Sequence, residues 1–169
     1  MATVERLGAL AGELRASLAV LRRVSDYYDS FEQHPWFHQR TTETAIVLAD
    51  VIVNFYTCLE TMFLRVSQFF ENSLDSTRWH KDLLRRMTLS VAGVRGRVIS
   101  DESYAALSEL LSFRHFKRYY VAFEYDWDRL DLVQKKFVSC RHGVMDEMNR
   151  YLAYVEELLD AARRRGPDS

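Results

Sequence analysis

The chain has 169 residues, 48% of them hydrophobic, which is enough for the core of one domain of ordinary size. Its formal net charge of -1 at pH 7 excludes an overall positive field that would attract nucleic acid or an anionic membrane, so any RNA-binding surface is expected to be local. Six glycines and two prolines are too few for the frequent turns of an all-β domain, and we expect one all-α domain over residues 1–169, with a frayed tail at 166–169.

Apolar residues recur every three or four positions along most of the chain, which is the spacing of amphipathic helices. The first predicted helix covers about residues 3–28 and is followed by an irregular, aromatic-rich connection over 29–39. The second helix, over about residues 42–72, is the most hydrophobic of the set. We predict that it lies at the centre of a helical bundle.

Three more helices complete the predicted bundle. The third covers about residues 77–89 and the fourth about residues 100–120. The last begins at a cap formed by Asp126 or Asp128 and extends to about residue 165. A break is expected near Gly143.

No segment of the sequence predicts export or a membrane anchor. The first 20 residues carry charged side chains such as Glu5 and Arg15, so they lack the uninterrupted apolar core of a signal peptide. The longest apolar stretch, 45–56, falls short of the roughly 20 residues that span a bilayer. We expect a cytoplasmic protein without a membrane partner, in which Cys58 and Cys140 are reduced thiols.

Several familiar catalytic constellations are missing from the sequence. It holds no Gly-rich phosphate loop, no HExxH pair, no Gly-x-Ser-x-Gly elbow and no Cys/His set with metal-ligand spacing. His34 and His38 have helical i,i+4 spacing, but Pro35 lies between them. We therefore expect no metal site and no cofactor.

Cations and aromatic residues are concentrated at the end of the fourth helix, in the run Ser112-Phe-Arg-His-Phe-Lys-Arg-Tyr-Tyr120. On a helix, Arg114 and Arg118 project from one face, with His115 beside them and Tyr119 one residue further on. Two guanidiniums in this arrangement are suited to hold a phosphate. The alternative is that the cations only complement the helix macrodipole, and the spacing leaves both interpretations open.

Two polar residues, Asn54 and Glu60, interrupt the apolar second helix. Glu60 lies close to an aromatic face of that helix, so we expect it to be half buried and to need a cation or hydrogen-bond donor. Arg114 or Arg118 is the candidate partner. Pairing with Arg65 and exposure to water are the alternatives.

Several segments form a combination that is more specific than any one motif. They are Val53-Asn-Phe-Tyr-Thr-Cys-Leu-Glu-Thr-Met-Phe63, Trp79-His-Lys-Asp-Leu-Leu-Arg-Arg-Met87, Ser100-Asp-Glu-Ser-Tyr104 and the stretch from Leu107 to Arg118. The anchors of the first are Asn54, Phe55, Tyr56 and Glu60, while Asp126 and Trp127 mark the connection after the fourth helix. Over about residues 5–160, this combination resembles the HepT-like branch of the HEPN family.

The resemblance implies an antiparallel four- to five-helix bundle that forms a homodimer, with two copies of the fourth-helix motif facing one cleft. Family members are often metal-independent endoribonuclease toxins, encoded beside a minimal nucleotidyltransferase. Their signature is an Arg, four to six residues, then a His, frequently with a Tyr two positions later. The Arg holds the phosphate and the His transfers a proton as the ribose 2′-OH attacks. In some pairs the nucleotidyltransferase transfers AMP to the Tyr.

This chain departs from that signature. Arg114 matches the Arg, but Tyr119 stands where the His is expected, and Val121 replaces the later Tyr. A Tyr side chain has a pKa of about 10 and is a poor general base at pH 7. His115 is the nearest substitute.

Two hypotheses therefore follow from the resemblance. In the first, the protein is a toxin that cleaves tRNA or mRNA with Arg114, His115, Arg118 and Tyr119. In the second, it has lost catalysis and binds its nucleotidyltransferase, with Tyr119 or Tyr120 as the acceptor of AMP.

Overall fold

The computed structural model describes residues 2–71, 79–119 and 124–165, and five helices make up most of these ranges. They are α1 (Ala2–Glu32), α2 (Thr42–Phe70), α3 (Trp79–Arg86), α4 (Asp101–Tyr119) and α5 (Trp127–Arg164). The prediction of an all-α bundle is confirmed. The predicted tail at 166–169 lies outside the described residues.

The helices pack in an antiparallel arrangement, as contacts between them show. Arg15 in the first half of α1 contacts Glu156 of α5, whereas Asp29 near the end of α1 contacts Arg141. The same inverted order of residues relates α1 to α2, α2 to α4, and α4 to α5. The short α3 packs against α2 and α4. Four long helices therefore form the bundle, and α3 covers one part of it.

The central position predicted for α2 is confirmed, because this helix contacts each of the other four. Its side chains Phe55, Leu59 and Val66 are fully buried, and one core cluster collects side chains from all five helices. Within the described ranges, α2 is the helix that is long and apolar enough to cross a membrane by length and composition. More than half of its most apolar segment is buried inside the bundle, as in a core helix.

α1 is longer than predicted, since it continues beyond residue 28 to Glu32. Two aromatic side chains of its last turns, Tyr28 and Phe31, contact Phe37 of the following connection with ring centroids 5.9 and 5.4 Å apart. These edge-to-face contacts stabilise the last turn of the helix against the connection. The irregular segment therefore begins after Glu32.

α5 begins at a cap formed by Asp126, whose carboxylate accepts a hydrogen bond from the Asp128 backbone N–H at 2.9 Å. The break expected near Gly143 is wrong, because the helix is continuous through that residue. A glycine costs a helix roughly 1 kcal/mol. Phe137 and Met148, on either side of it, are fully buried and hold α5 against the core. The packing of α5 therefore outweighs the low helix propensity of Gly143.

A buried arginine fixes the loop between α3 and α4. The side chain of Arg95 is fully buried and pairs with Glu71, the residue that ends α2. Its guanidinium also donates to the backbone carbonyls of Arg86, Leu89 and Gly96 at 2.9, 2.9 and 3.2 Å. The loop thus folds around one side chain, which ties it to the end of α2.

Replacing Arg95 by methionine is expected to lower the free energy of unfolding by about 3–5 kcal/mol, because a largely buried carboxylate loses its main partner. The matched control is Arg97→Met, since Arg97 is half exposed and lies 3.9 Å from Asp101. That variant should lose less than about 1 kcal/mol. Urea unfolding followed by circular dichroism measures both losses. Equal losses in the two variants would contradict the structural role of Arg95.

Candidate functional site

A buried carboxylate lies where α2, α3 and α4 meet. Glu60 of α2 is only 5% exposed, and its Oε1 atom lies 2.5 Å from Nδ1 of His80 on α3. Its other oxygen, Oε2, lies 3.1 Å from Nη2 of Arg114 on α4. A buried charge is costly without such partners. Glu60 therefore needs α3 and α4 in their observed places.

Of the two candidate partners predicted for Glu60, Arg114 or Arg118, the structure shows Arg114. Arg65, the other cation considered, instead pairs with Glu13 of α1 at 2.6 Å. Glu60 is more deeply buried than the half-buried state expected from the helical pattern. The reason is that His80 on α3 contacts it, and the periodicity of α2 contains no information about α3.

Arg114 is held in one orientation by two residues of α2. Its Nε atom donates to Oγ1 of Thr57 at 3.1 Å, while Nη2 pairs with Glu60. The third nitrogen, Nη1, is buried and makes no hydrogen bond within the described part of the chain. The side chain is 17% exposed. Two nitrogens thus fix the plane of the guanidinium, and the third retains donor capacity.

His115 follows Arg114 and lies against His80. The ring centroids of the two histidines are 5.2 Å apart, with the rings nearly perpendicular. Burial lowers the pKa of His115 below its ordinary value of 6.5, and the neighbouring His80 and Arg114 lower this pKa further. The His115 imidazole is therefore mostly neutral at pH 7 and is able to accept a proton.

Arg118 and Asn54, two of the predicted site residues, lie at exposed positions. Arg118 is exposed, and it forms no ion pair with any residue that the structure describes. Asn54 is also exposed and donates to Asp50 at 3.0 Å. Asp50 in turn pairs with Lys117 of α4 at 2.6 Å. A second, exposed contact between α2 and α4 therefore lies beside the buried one.

The structure describes the side chain of Tyr56 but not those of Tyr119 and Tyr120. Tyr56 is fully buried, and burial together with the Glu60 carboxylate raises the pKa of its hydroxyl well above the ordinary value. Tyr56 is therefore a neutral, buried neighbour of Glu60. Tyr120 and the side chain of Tyr119, the predicted acceptors of AMP, lie outside the described residues.

His80 was not predicted as a site residue. It stands in the segment that begins at Trp79, but no spacing rule relates position 80 to positions 60 and 115 in the sequence. Only the packing of α3 against α2 and α4 places its ring beside Glu60 and His115. Among the described residues, no group of three or more His, Cys, Asp or Glu side chains is arranged to hold a metal ion.

Arg114→Gln is expected to raise the pKa of His115 toward 6.5, because the guanidinium is one of the charges that lower it. The variant also leaves the Glu60 carboxylate without that cation, and Glu60 acts on His115 in the same upward direction. Imidazole C–H NMR signals followed against pH measure the change. The exposed Arg118, changed to Gln, is the control and should leave the midpoint unaltered. A downward shift in Arg114→Gln would contradict the observed electrostatics.

Comparison with known proteins assigns the chain to a family. A sequence model of the family described as HepT-like protein matches residues 47–155, which is more than half of the chain and includes Glu60, His80, Arg114 and His115. Comparisons with curated proteins and with solved structures give no significant match. The chain therefore belongs to the HepT-like branch of the HEPN family.

Proposed function

We propose that this protein is the HEPN component of a toxin-antitoxin pair in the cytoplasm and that it cleaves RNA by metal-independent phosphoryl transfer. The observation that carries the proposal is the convergence of Arg114, His115 and His80 around the buried carboxylate of Glu60. Cleavage of a phosphodiester by a neighbouring 2′-OH needs a fixed cation that binds the phosphate and imidazoles that transfer protons.

Arg114 is the proposed phosphate-binding residue. Its plane is fixed by Glu60 and Thr57 before any substrate arrives, so little reorganisation is needed to hold a phosphate oxygen. The side chain is 17% exposed, so Arg114 reaches the surface where a phosphate would bind. Pairing with Glu60 reduces the net charge of the site, and the exposed Arg118 supplies a further cation on the same helix.

His115 is the proposed general base. Its lowered pKa keeps the ring neutral near pH 7, which is the state that can take the proton from a ribose 2′-OH. RNA binding would be local, since the chain has a net charge of -1. Two exposed cations, Arg85 at the end of α3 and Arg118 at the end of α4, support a local contact with the RNA backbone.

The proposal includes two partners. Proteins of this family are generally paired with a minimal nucleotidyltransferase, and we propose such a partner here. We also propose a homodimer in which two copies of α4 face one cleft, so that residues from both copies of the motif contact one RNA strand. The support for both partners is membership of the family.

A second function is favoured by one specific contact. The guanidinium of Arg114 is already engaged by Glu60 and Thr57, as expected of an arginine that only stabilises the bundle. On this alternative the protein is a catalytically degenerate HEPN protein that binds its nucleotidyltransferase and accepts AMP on Tyr119 or Tyr120. Incubation with that partner and ATP, followed by intact-mass measurement of Tyr119→Phe and Tyr120→Phe, tests it. Failure of both substitutions to remove the added mass would contradict it.

The purified protein is expected to cleave total RNA and tRNA in the presence of EDTA. Arg114→Ala should slow cleavage by about 10²–10³-fold through loss of charge stabilisation. His115→Asn should slow it by about 10²–10⁴-fold through loss of the base. Arg163→Ala is the control, since Arg163 is exposed at the far end of α5. Absence of cleavage by the unchanged protein would refute the nuclease function and favour the binding role.

A further inference from the structure

We propose that His80, held by Glu60, is the general acid of this site and protonates the leaving 5′-oxygen of the RNA. The proposal rests on the nuclease function above and extends it to a second proton-transfer residue. The family signature takes its histidine from α4, whereas His80 stands on α3.

The contact with Glu60 gives the His80 ring a fixed orientation. Nδ1 lies 2.5 Å from the Oε1 atom, and this short contact with α2 holds the ring in place. A buried carboxylate in this position orients the imidazole, as in the carboxylate and histidine pairs of hydrolases. With 19% of its side chain exposed, His80 still reaches the protein surface.

The position of His80 relative to His115 suits one ring as the general acid and the other as the general base. The two rings are in edge contact, with centroids 5.2 Å apart, and come from different helices. Arg114 precedes His115 and shares the Glu60 carboxylate with His80. A phosphate bound at Arg114 would therefore lie beside both imidazoles. The charged groups of the cluster are Glu60 from α2 and Arg114 from α4, with Lys81 adjoining His80 on α3.

The step balances without a further reactant. His115 takes the proton of the ribose 2′-OH as O2′ attacks phosphorus and the P–O2′ bond forms. His80 gives its proton to O5′ as the P–O5′ bond breaks. The products are a 2′,3′-cyclic phosphate and a 5′-hydroxyl, and proton exchange with water restores both histidines.

A structural role for His80 is the competing explanation, since Glu60 needs partners whether or not catalysis occurs. His80→Asn separates the two roles. The Asn side chain carries an N–H donor near the position of Nδ1, so it retains the hydrogen bond to Glu60 but offers no group that transfers protons. His142→Asn, at an exposed position on α5, is the matched control.

The test compares two RNA oligonucleotides that contain the site cut by the unchanged protein. One is ordinary RNA, and the other carries sulfur in place of the leaving 5′-oxygen. A thiolate leaves without protonation, so loss of a general acid is rescued on the sulfur substrate. We expect His80→Asn to cleave ordinary RNA slower by on the order of 10²–10⁴-fold and the sulfur substrate at close to the unchanged rate. His115→Asn should be slow on both substrates.

The outcomes separate this inference from the function on which it rests. Full activity of His80→Asn on ordinary RNA would refute the acid role and leave the nuclease intact. Slow cleavage of both substrates by His80→Asn would also refute it, in favour of a structural role. No cleavage of either substrate by the unchanged protein would overturn the nuclease function and this inference together. Rescue by sulfur also shows that the variant is folded.

Discussion

The buried carboxylate of Glu60 is the constraint on which the arrangement of α2, α3 and α4 depends. An ionised carboxylate taken out of water carries a penalty of several kcal/mol unless cations or donors replace the lost hydration. Here a residue on α3 and one on α4 supply the replacement, at 2.5 and 3.1 Å. Because the buried residues of α2 are otherwise mostly apolar, this charge accounts for the two polar residues, His80 and Arg114, that contact it.

The opposite side of the bundle is stabilised in another way. α1 and α5 meet through apolar stripes, supplemented by Arg141, which is 6% exposed and lies over the rings of Tyr28 and Phe137. That arrangement depends on buried area, on cation–π contacts and on the pairing of Arg141 with Asp29. The chain thus has a largely apolar contact between α1 and α5 and a polar cluster of Glu60, His80 and Arg114 between α2, α3 and α4.

This division explains how much could be predicted from the sequence. Apolar periodicity predicts the helices and the central place of α2, because those features depend on which residues avoid water. It misplaces the end of α1 and a break at Gly143, because contacts made by Tyr28, Phe31 and Phe137 override local preference there. That Glu60 needs a cation is predictable, because a buried charge requires a partner, but the sequence left Arg114, Arg118 and Arg65 open as that partner.

The contact of His80 with Glu60 could not be predicted from the sequence, for a different reason. The family signature is a spacing along one helix, so it detects a histidine only on that helix. By this signature, Tyr119 at the position of the histidine indicates a loss of function. The active unit of a phosphoryl-transfer site is defined by positions in space around the phosphate, and a neighbouring helix can supply them. Under the proposed mechanism, α3 delivers the proton-transfer group to the same carboxylate that orients Arg114. The departure from the signature would then mark a relocated histidine rather than an inactive protein.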